Sequence, residues 1–204
     1  GLPIQDPVAL PFDESLYQDI EQIQILACGT SRHAAMVGAY LLEQFSGIPS
    51  TVFYASEFRY SAPPLAPNTL TIGVTQSGET ADTLAALLME AERREKHGDL
   101  TFAPRLLGIT NRPESSLARQ VSNILDIGVG VEVGVAATKT FLGQLLAFYA
   151  LALKFATVRK SRPSIEIAQL VQDLRAVPNY LREIIQLHDE KSGVLAHRFS
   201  DTKD

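Results

Sequence analysis

Five short aliphatic and β-branched runs alternate with stretches of helical periodicity, and this alternation limits the possible folds more than any other feature of the chain. The runs are Gln22 to Ala27, Thr51 to Ala55, Thr69 to Thr75, Arg105 to Thr110 and Asn123 to Ile127. Between them, apolar residues recur at helical spacing from Ser31 to Phe45, where Gly47 and Pro49 stop them, and from Thr80 to His97, which closes near Gly98. Parallel neighbours in a sheet need a crossover, and the crossover is usually a helix, so strand–helix alternation predicts a parallel sheet wrapped by helices.

The expected fold is therefore α/β: a three-layer, doubly wound, five-stranded parallel sheet with the flavodoxin-like strand order 2-1-3-4-5 and a C-terminal helical extension. We expect one α/β domain over 1–158 and an extension over 159–204. The extension starts at the proline-interrupted segment Lys160 to Pro163, continues as an amphipathic helix from Ser164 to Leu187 and ends in a polar tail, His188 to Asp204. The Glu92 to Lys96 charge cluster reads as the solvated face of its helix.

The bulk numbers narrow the function. A chain of 204 residues, 46% hydrophobic, is long enough for one well-covered core and an appendage. A net charge of -5 offers no footprint for a polyanion, so nucleic acid is not an expected partner. The one cysteine, Cys28, excludes an internal disulfide and suits a reducing cytoplasm, and the four histidines lack ligand spacing, so neither metal nor cofactor is expected. The first ten residues lack the basic region and apolar core of an export signal. Phe141 to Val158 approaches membrane-spanning length, but Gln144 and Lys154 interrupt it and no basic flank sets an orientation, so a buried core helix is expected and no membrane partner.

The chemistry gathers at the ends of strands. The third strand runs through Thr75-Gln76-Ser77-Gly78-Glu79-Thr80 into a helix, so hydroxyls and free backbone N–H groups meet at a positive helix end. This composition suits an anion cradle, and Gly78 lets the backbone come close to a ligand. It equally suits plain helix capping by Ser77 or Thr80, since both uses draw on the same N–H groups. Cys28-Gly29-Thr30-Ser31 forms a second hydroxyl-bearing turn into a helix. In the order 2-1-3-4-5, connections leave strands one and three in opposite directions, and the crevice between their C-terminal ends is where such sheets bind ligands. Both turns would line it. A third segment, Val129 to Thr138, could bend over the same crevice. Glu132 and Lys139 are conceivable acid–base groups without a visible partner, His33 suits packing or solvent, and Cys28 suits strand core.

Four strings in this order, C-G-T-S at Cys28 to Ser31, A-S-E-F-R-Y at Ala55 to Tyr60, Q-S-G-E-T-A-D-T at Gln76 to Thr83 and V-G-V-A-A-T-K-T-F at Val133 to Phe141, closely resemble glucosamine-6-phosphate synthase, the glutamine-dependent fructose-6-phosphate amidotransferase. The resemblance covers about the whole α/β domain and implies its first sugar-isomerase domain. It implies that Thr75, Gln76, Ser77 and Thr80 hold the phosphate of fructose 6-phosphate, and that Thr30, Ser31 and the backbone near Val135 contact the sugar. Thr75 stands where the family commonly has serine and keeps the hydroxyl. Ala137 also stands at a serine position and loses it, so Ala137 carries over only as a backbone or van der Waals neighbour of the sugar.

The resemblance also implies a parent chain with a glutaminase domain and a second sugar-isomerase domain. The ring-opening histidine, the enolisation base and the Schiff-base lysine would lie beyond Asp204, leaving no catalytic residue here. The implied partners are hexose 6-phosphates (fructose 6-phosphate, glucose 6-phosphate and glucosamine 6-phosphate) and a second copy in a homodimer. Two alternatives remain open: a free-standing sugar-phosphate-binding regulator, and a phosphosugar isomerase using Glu132 or His33 as its base.

Overall fold

The structure, a computed structural model, describes residues 8–134, 136–200 and 202. Strand β1 (Gln22–Ala27) and strand β3 (Thr69–Val74) carry sequences that tolerate burial on both faces, and every residue of β3 is buried. They take the centre of the sheet. β2 (Ser50–Tyr54), whose burial is partial, lies at one edge, and β4 (Arg105–Thr110) followed by β5 (Asn123–Asp126) completes the other side. All four pairings are parallel, giving the expected order β2-β1-β3-β4-β5.

The helices are α1 (Gly29–Ser46), α2 (Ala55–Phe58), α3 (Ala81–His97), α4 (Ser116–Gln120), α5 (Lys139–Arg159) and α6 (Ser164–Arg198). α1 and α5 pack directly on each other. Gly38 permits the contact: a Cβ there would collide with the ring of Phe148, which is fully buried. α3 packs with α2 and α4 over a cluster that includes Leu26, Phe58, Leu87, Leu106 and Leu117. α5 has the length and apolarity of a membrane span, yet more than half of its apolar stretch is buried inside the fold. Its polar residues Gln144 and Lys154 are buried as well.

The chain divides into two compact units, the second beginning at Ser164. That unit is α6, which runs to Arg198 with Pro178 inside it, past the expected stop at Leu187. Polarity alone does not end a helix. Between Asp189 and Arg198 the sequence offers mainly good or neutral helix formers, and Gly193 costs only about 1 kcal/mol.

Within the charge cluster on α3, Glu92, Glu95 and Lys96 are exposed as expected, but Arg94 is buried and meets Glu90 one turn earlier. Arg94 is only 2% exposed and Glu90 only 1%. Arg94 Nε donates to Glu90 Oε1 at 2.8 Å, and Gln24 Nε2 on β1 donates to the same oxygen at 2.6 Å and to Thr71 Oγ1 on β3 at 2.8 Å. Arg93 donates to Glu90 Oε2 at 2.8 Å and to the Pro63 carbonyl at 2.7 Å, while Arg94 also reaches the Ala66 carbonyl at 3.1 Å. Burial pulls the Arg94 guanidinium below its ordinary pKa, and Glu90 opposes that shift. One buried carboxylate therefore joins α3, the two central strands and the loop leading into β3.

Removing one partner of such a network leaves the other charge buried and unpaired, which costs about 3–5 kcal/mol. Glu90→Ala is expected to destabilise the α/β unit by that amount, read as a lowered midpoint in urea unfolding. A midpoint within error of the unsubstituted chain would show that the network contributes little.

Candidate functional site

The β1–β3 register pairs Ala27 with Val74, so the next residues, Cys28 and Thr75, leave neighbouring strands at the same edge. Both hydroxyl-bearing turns start there. Thr75 is buried, Gln76, Ser77 and Thr80 are half-buried, and Glu79 is exposed. Gly78 adopts φ +68, which an L side chain rarely does, and a Cβ there would strike the Ser115 side chain. Leu117 N–H donates to the Gly78 carbonyl at 3.0 Å, and Asn111 N–H donates to the Gln76 carbonyl at 3.1 Å. The loop is thus held from the β4 side.

The hydroxyl at the start of α3 is not used to cap the helix. Thr80 occupies the N-cap position of α3 but makes no side-chain cap bond. Its Oγ1 lies 2.6 Å from Thr75 Oγ1 instead. Ser77 Oγ accepts the N–H of Glu79 at 3.1 Å, within its own turn. Glu79 turns away from α3: its Oε1 accepts the N–H of Ser116 at 2.8 Å, and hydrogen bonds from Ser116 hold its carboxyl below the usual range. The loop's one carboxylate is engaged at α4.

At the second turn, Thr30 is exposed and Ser31 half-buried, both in the first turn of α1, whose N-cap Cys28 makes no side-chain cap bond. Gln144 Nε2 of α5 donates to Ser31 Oγ at 2.9 Å, which brings the start of α5 to the mouth of α1. Ala137, half-buried, lies just before α5, and Val135 falls outside the described residues. His33 is exposed, while Cys28 packs against the α3-side cluster. Beside the α1 mouth, the Arg32 guanidinium stacks 3.7 Å from the Tyr54 ring centroid.

Glu132 proves to be a structural anion. Its Oε1 accepts the N–H groups of Thr138 at 3.0 Å and Lys139 at 2.8 Å, and its Oε2 accepts the Thr140 hydroxyl. These bonds, the Thr140 hydroxyl foremost, bring its pKa down from 4.5 to about 2. Such a carboxylate occupies the α5 N-terminus and is a poor proton acceptor near neutral pH. Lys139 Nζ donates to the Val131 carbonyl at 2.7 Å.

Sequence reasoning passed over Thr110, Asn111 and Ser115, which brace the Thr75 to Thr80 loop from the end of β4, and Gln144, which entered only as an interruption of an apolar run. The polar turn after the fourth strand was the available signal for the first three. Two surface cavities, of about 490 and 270 Å³, lie by β5 and are lined by none of residues 75–80.

A five-stranded parallel sheet with two hydroxyl-lined helix mouths at its switch point is a doubly wound α/β domain with both turns where such sheets bind ligands. The chain belongs to the SIS domain family, whose model matches residues 16–154. It is 54% identical over 202 residues to a glutamine–fructose-6-phosphate aminotransferase (isomerizing) from Synechocystis, covering 99% of this chain and 32% of that protein. A protein of the same name from Methanosarcina acetivorans is 42% identical over 176 residues, covering 86% of this chain and 27% of that one. The chain thus spans about a third of the curated relatives it matches. Among solved structures, the C-terminal domain of glucosamine-fructose-6-phosphate aminotransferase from Francisella tularensis superposes with a TM-score of 0.81 at 32% identity, covering 93% of this chain and 50% of that one.

A carboxyl whose folded pKa is depressed contributes stability that is present above its unfolded pKa and is lost as pH falls toward the folded one. For Glu132 the window runs from 4.5 down to about 2. Glu132→Gln is expected to lower the melting temperature at neutral pH, with the gap to the unsubstituted chain narrowing on acidification below about pH 4.5. A gap constant down to about pH 3 would argue against this capping role.

Proposed function

We propose that this chain is the first sugar-isomerase domain of a glutamine-dependent aminotransferase that converts fructose 6-phosphate to glucosamine 6-phosphate, and that it holds the substrate by its phosphate. The observation that carries the reading is the uncapped start of α3: Thr80 shares its hydroxyl with Thr75 and makes no side-chain cap bond, at the same sheet edge as the uncapped start of α1. An anion at such an end meets backbone N–H groups and a favourable dipole of about 1 kcal/mol. Hydroxyls of Thr75, Ser77 and Thr80 and the Gln76 amide add neutral donors. Each bond to a charged oxygen contributes about 1.5–3 kcal/mol, so four or five suffice without a lysine or arginine clamp.

In the parent enzyme, ammonia from glutamine would replace the C2 oxygen of fructose 6-phosphate, with proton transfer between C1 and C2. This domain would supply binding and orientation to groups outside it. The depressed, hydrogen-bonded Glu132 carboxyl supports that division, because it makes one of the two candidate bases for an isomerase acting alone a poor one.

Ligands that bind only the native state raise its melting temperature. Fructose 6-phosphate and glucose 6-phosphate are therefore expected to raise it, and fructose and glucose to leave it unchanged; equal effects from the plain sugars would defeat the reading. Ser77→Ala combined with Thr80→Ala is expected to weaken sugar-phosphate binding by about 2–5 kcal/mol in calorimetric titration. The chain alone should not interconvert the two hexose phosphates, and measurable turnover would restore the isomerase alternative.

A further inference from the structure

Gln144 is the polar exception in the buried stripe of α5. It is 1% exposed among Gly143, Ala147, Phe148 and Leu151, in the interface that α5 forms with α1. A carboxamide buried there without a hydrogen bond is costly, so its bond decides whether the residue can be tolerated. That bond is the 2.9 Å contact from Nε2 to Ser31 Oγ.

A serine hydroxyl has one proton to give and two lone pairs to offer. With one lone pair taken by the Gln144 amide, the Ser31 proton stays available, and among the described residues no other hydrogen bond claims it. Ser31 is the third residue of α1, at the edge of the sheet where Thr75 also leaves its strand. The Gln144 side chain, by contrast, is anchored on a buried helix face.

We propose that Gln144 is a positioning residue for Ser31: buried between α1 and α5, its amide donates to the Ser31 oxygen and turns the serine's own proton toward an oxygen of the bound sugar phosphate. This deepens the reading above and rests on it. Gln144 itself touches no ligand and acts through one hydroxyl. The distinction matters for its test, because a residue that merely fills the interface would affect binding whatever stands at position 31.

The test is a double-mutant cycle on the full 204-residue chain with glucose 6-phosphate as the probe, read by calorimetric titration, with melting temperatures measured without ligand. Ser31→Ala and Gln144→Leu are each expected to weaken binding roughly tenfold, and the double variant no more than either alone. Ser31→Thr, which keeps the hydroxyl, should restore the sensitivity to Gln144→Leu. Losses that multiply in the double variant, or full affinity in Gln144→Leu, overturn the proposal while leaving the phosphate site intact. Absence of binding by the unsubstituted chain overturns both. If Gln144→Leu does not fold, Gln144→Met enters the same cycle with the same expected outcomes.

Discussion

Because Ala27 pairs with Val74 in a parallel register, the chain leaves β1 and β3 at the same height on one edge of the sheet. The right-handed crossovers from β1 to β2 and from β3 to β4 run in opposite directions, so α1 and α3 depart to opposite faces and their N-termini flank the gap between the strands. Backbone pairing thus brings two sets of N–H groups together before any side chain has been chosen. Thr30, Ser31, Thr75, Ser77 and Thr80 only refine what that pairing places there.

A central strand buried on both faces has to accommodate its polar residues internally. Gln24 and Thr71 lie on the two central strands and are satisfied by Glu90, which Arg93 and Arg94 hold in turn. Those arginines also grip the Pro63 and Ala66 carbonyls in the loop that enters β3. The network therefore ties the start of β3 to α3, while the candidate loop lies at the strand's other end. A buried network of this kind need not add net stability over an apolar core, but it penalises slippage of β3 against β1, and the register it protects is the one that aligns the two turns.

Strand identity and order were legible because parallel strands buried on both faces read as continuous aliphatic runs. Gln22 to Ala27 and Arg105 to Thr110 are reproduced residue for residue. The hydroxyl turns were legible as composition, but cradle and cap share the same residue types, and it took the Thr75–Thr80 contact to show that Thr80 does not cap α3. Arg94 and Glu90 were illegible for a different reason: the cluster around Arg94 looks solvated in sequence, and the Glu90 carboxylate it meets is shared with Gln24, 66 positions before Glu90. The end of α6 lies past the polar residues that open the tail, because polarity alone does not stop a helix. Gln144 and Ser31 stand 113 residues apart, and nothing local in the sequence connects them.

The fold uses helix N-termini in two ways. At α5 and α4, carboxylates from within the chain fill the positive end: Glu132 and Glu79 accept the exposed N–H groups and stay ionised to low pH as a result. At α1 no acidic residue stands in the first turn, and at α3 the first-turn Asp82 is paired with Arg59 at 3.1 Å. A chain carrying a net charge of -5 would repel a dianion at long range. Under the proposed reading a dianion would be held at short range only, because helix-end and hydroxyl interactions act within about a turn of the helix. Glu79 and Glu132 accept N–H groups at α4 and α5, so neither carboxylate stands at the α1 or α3 mouth.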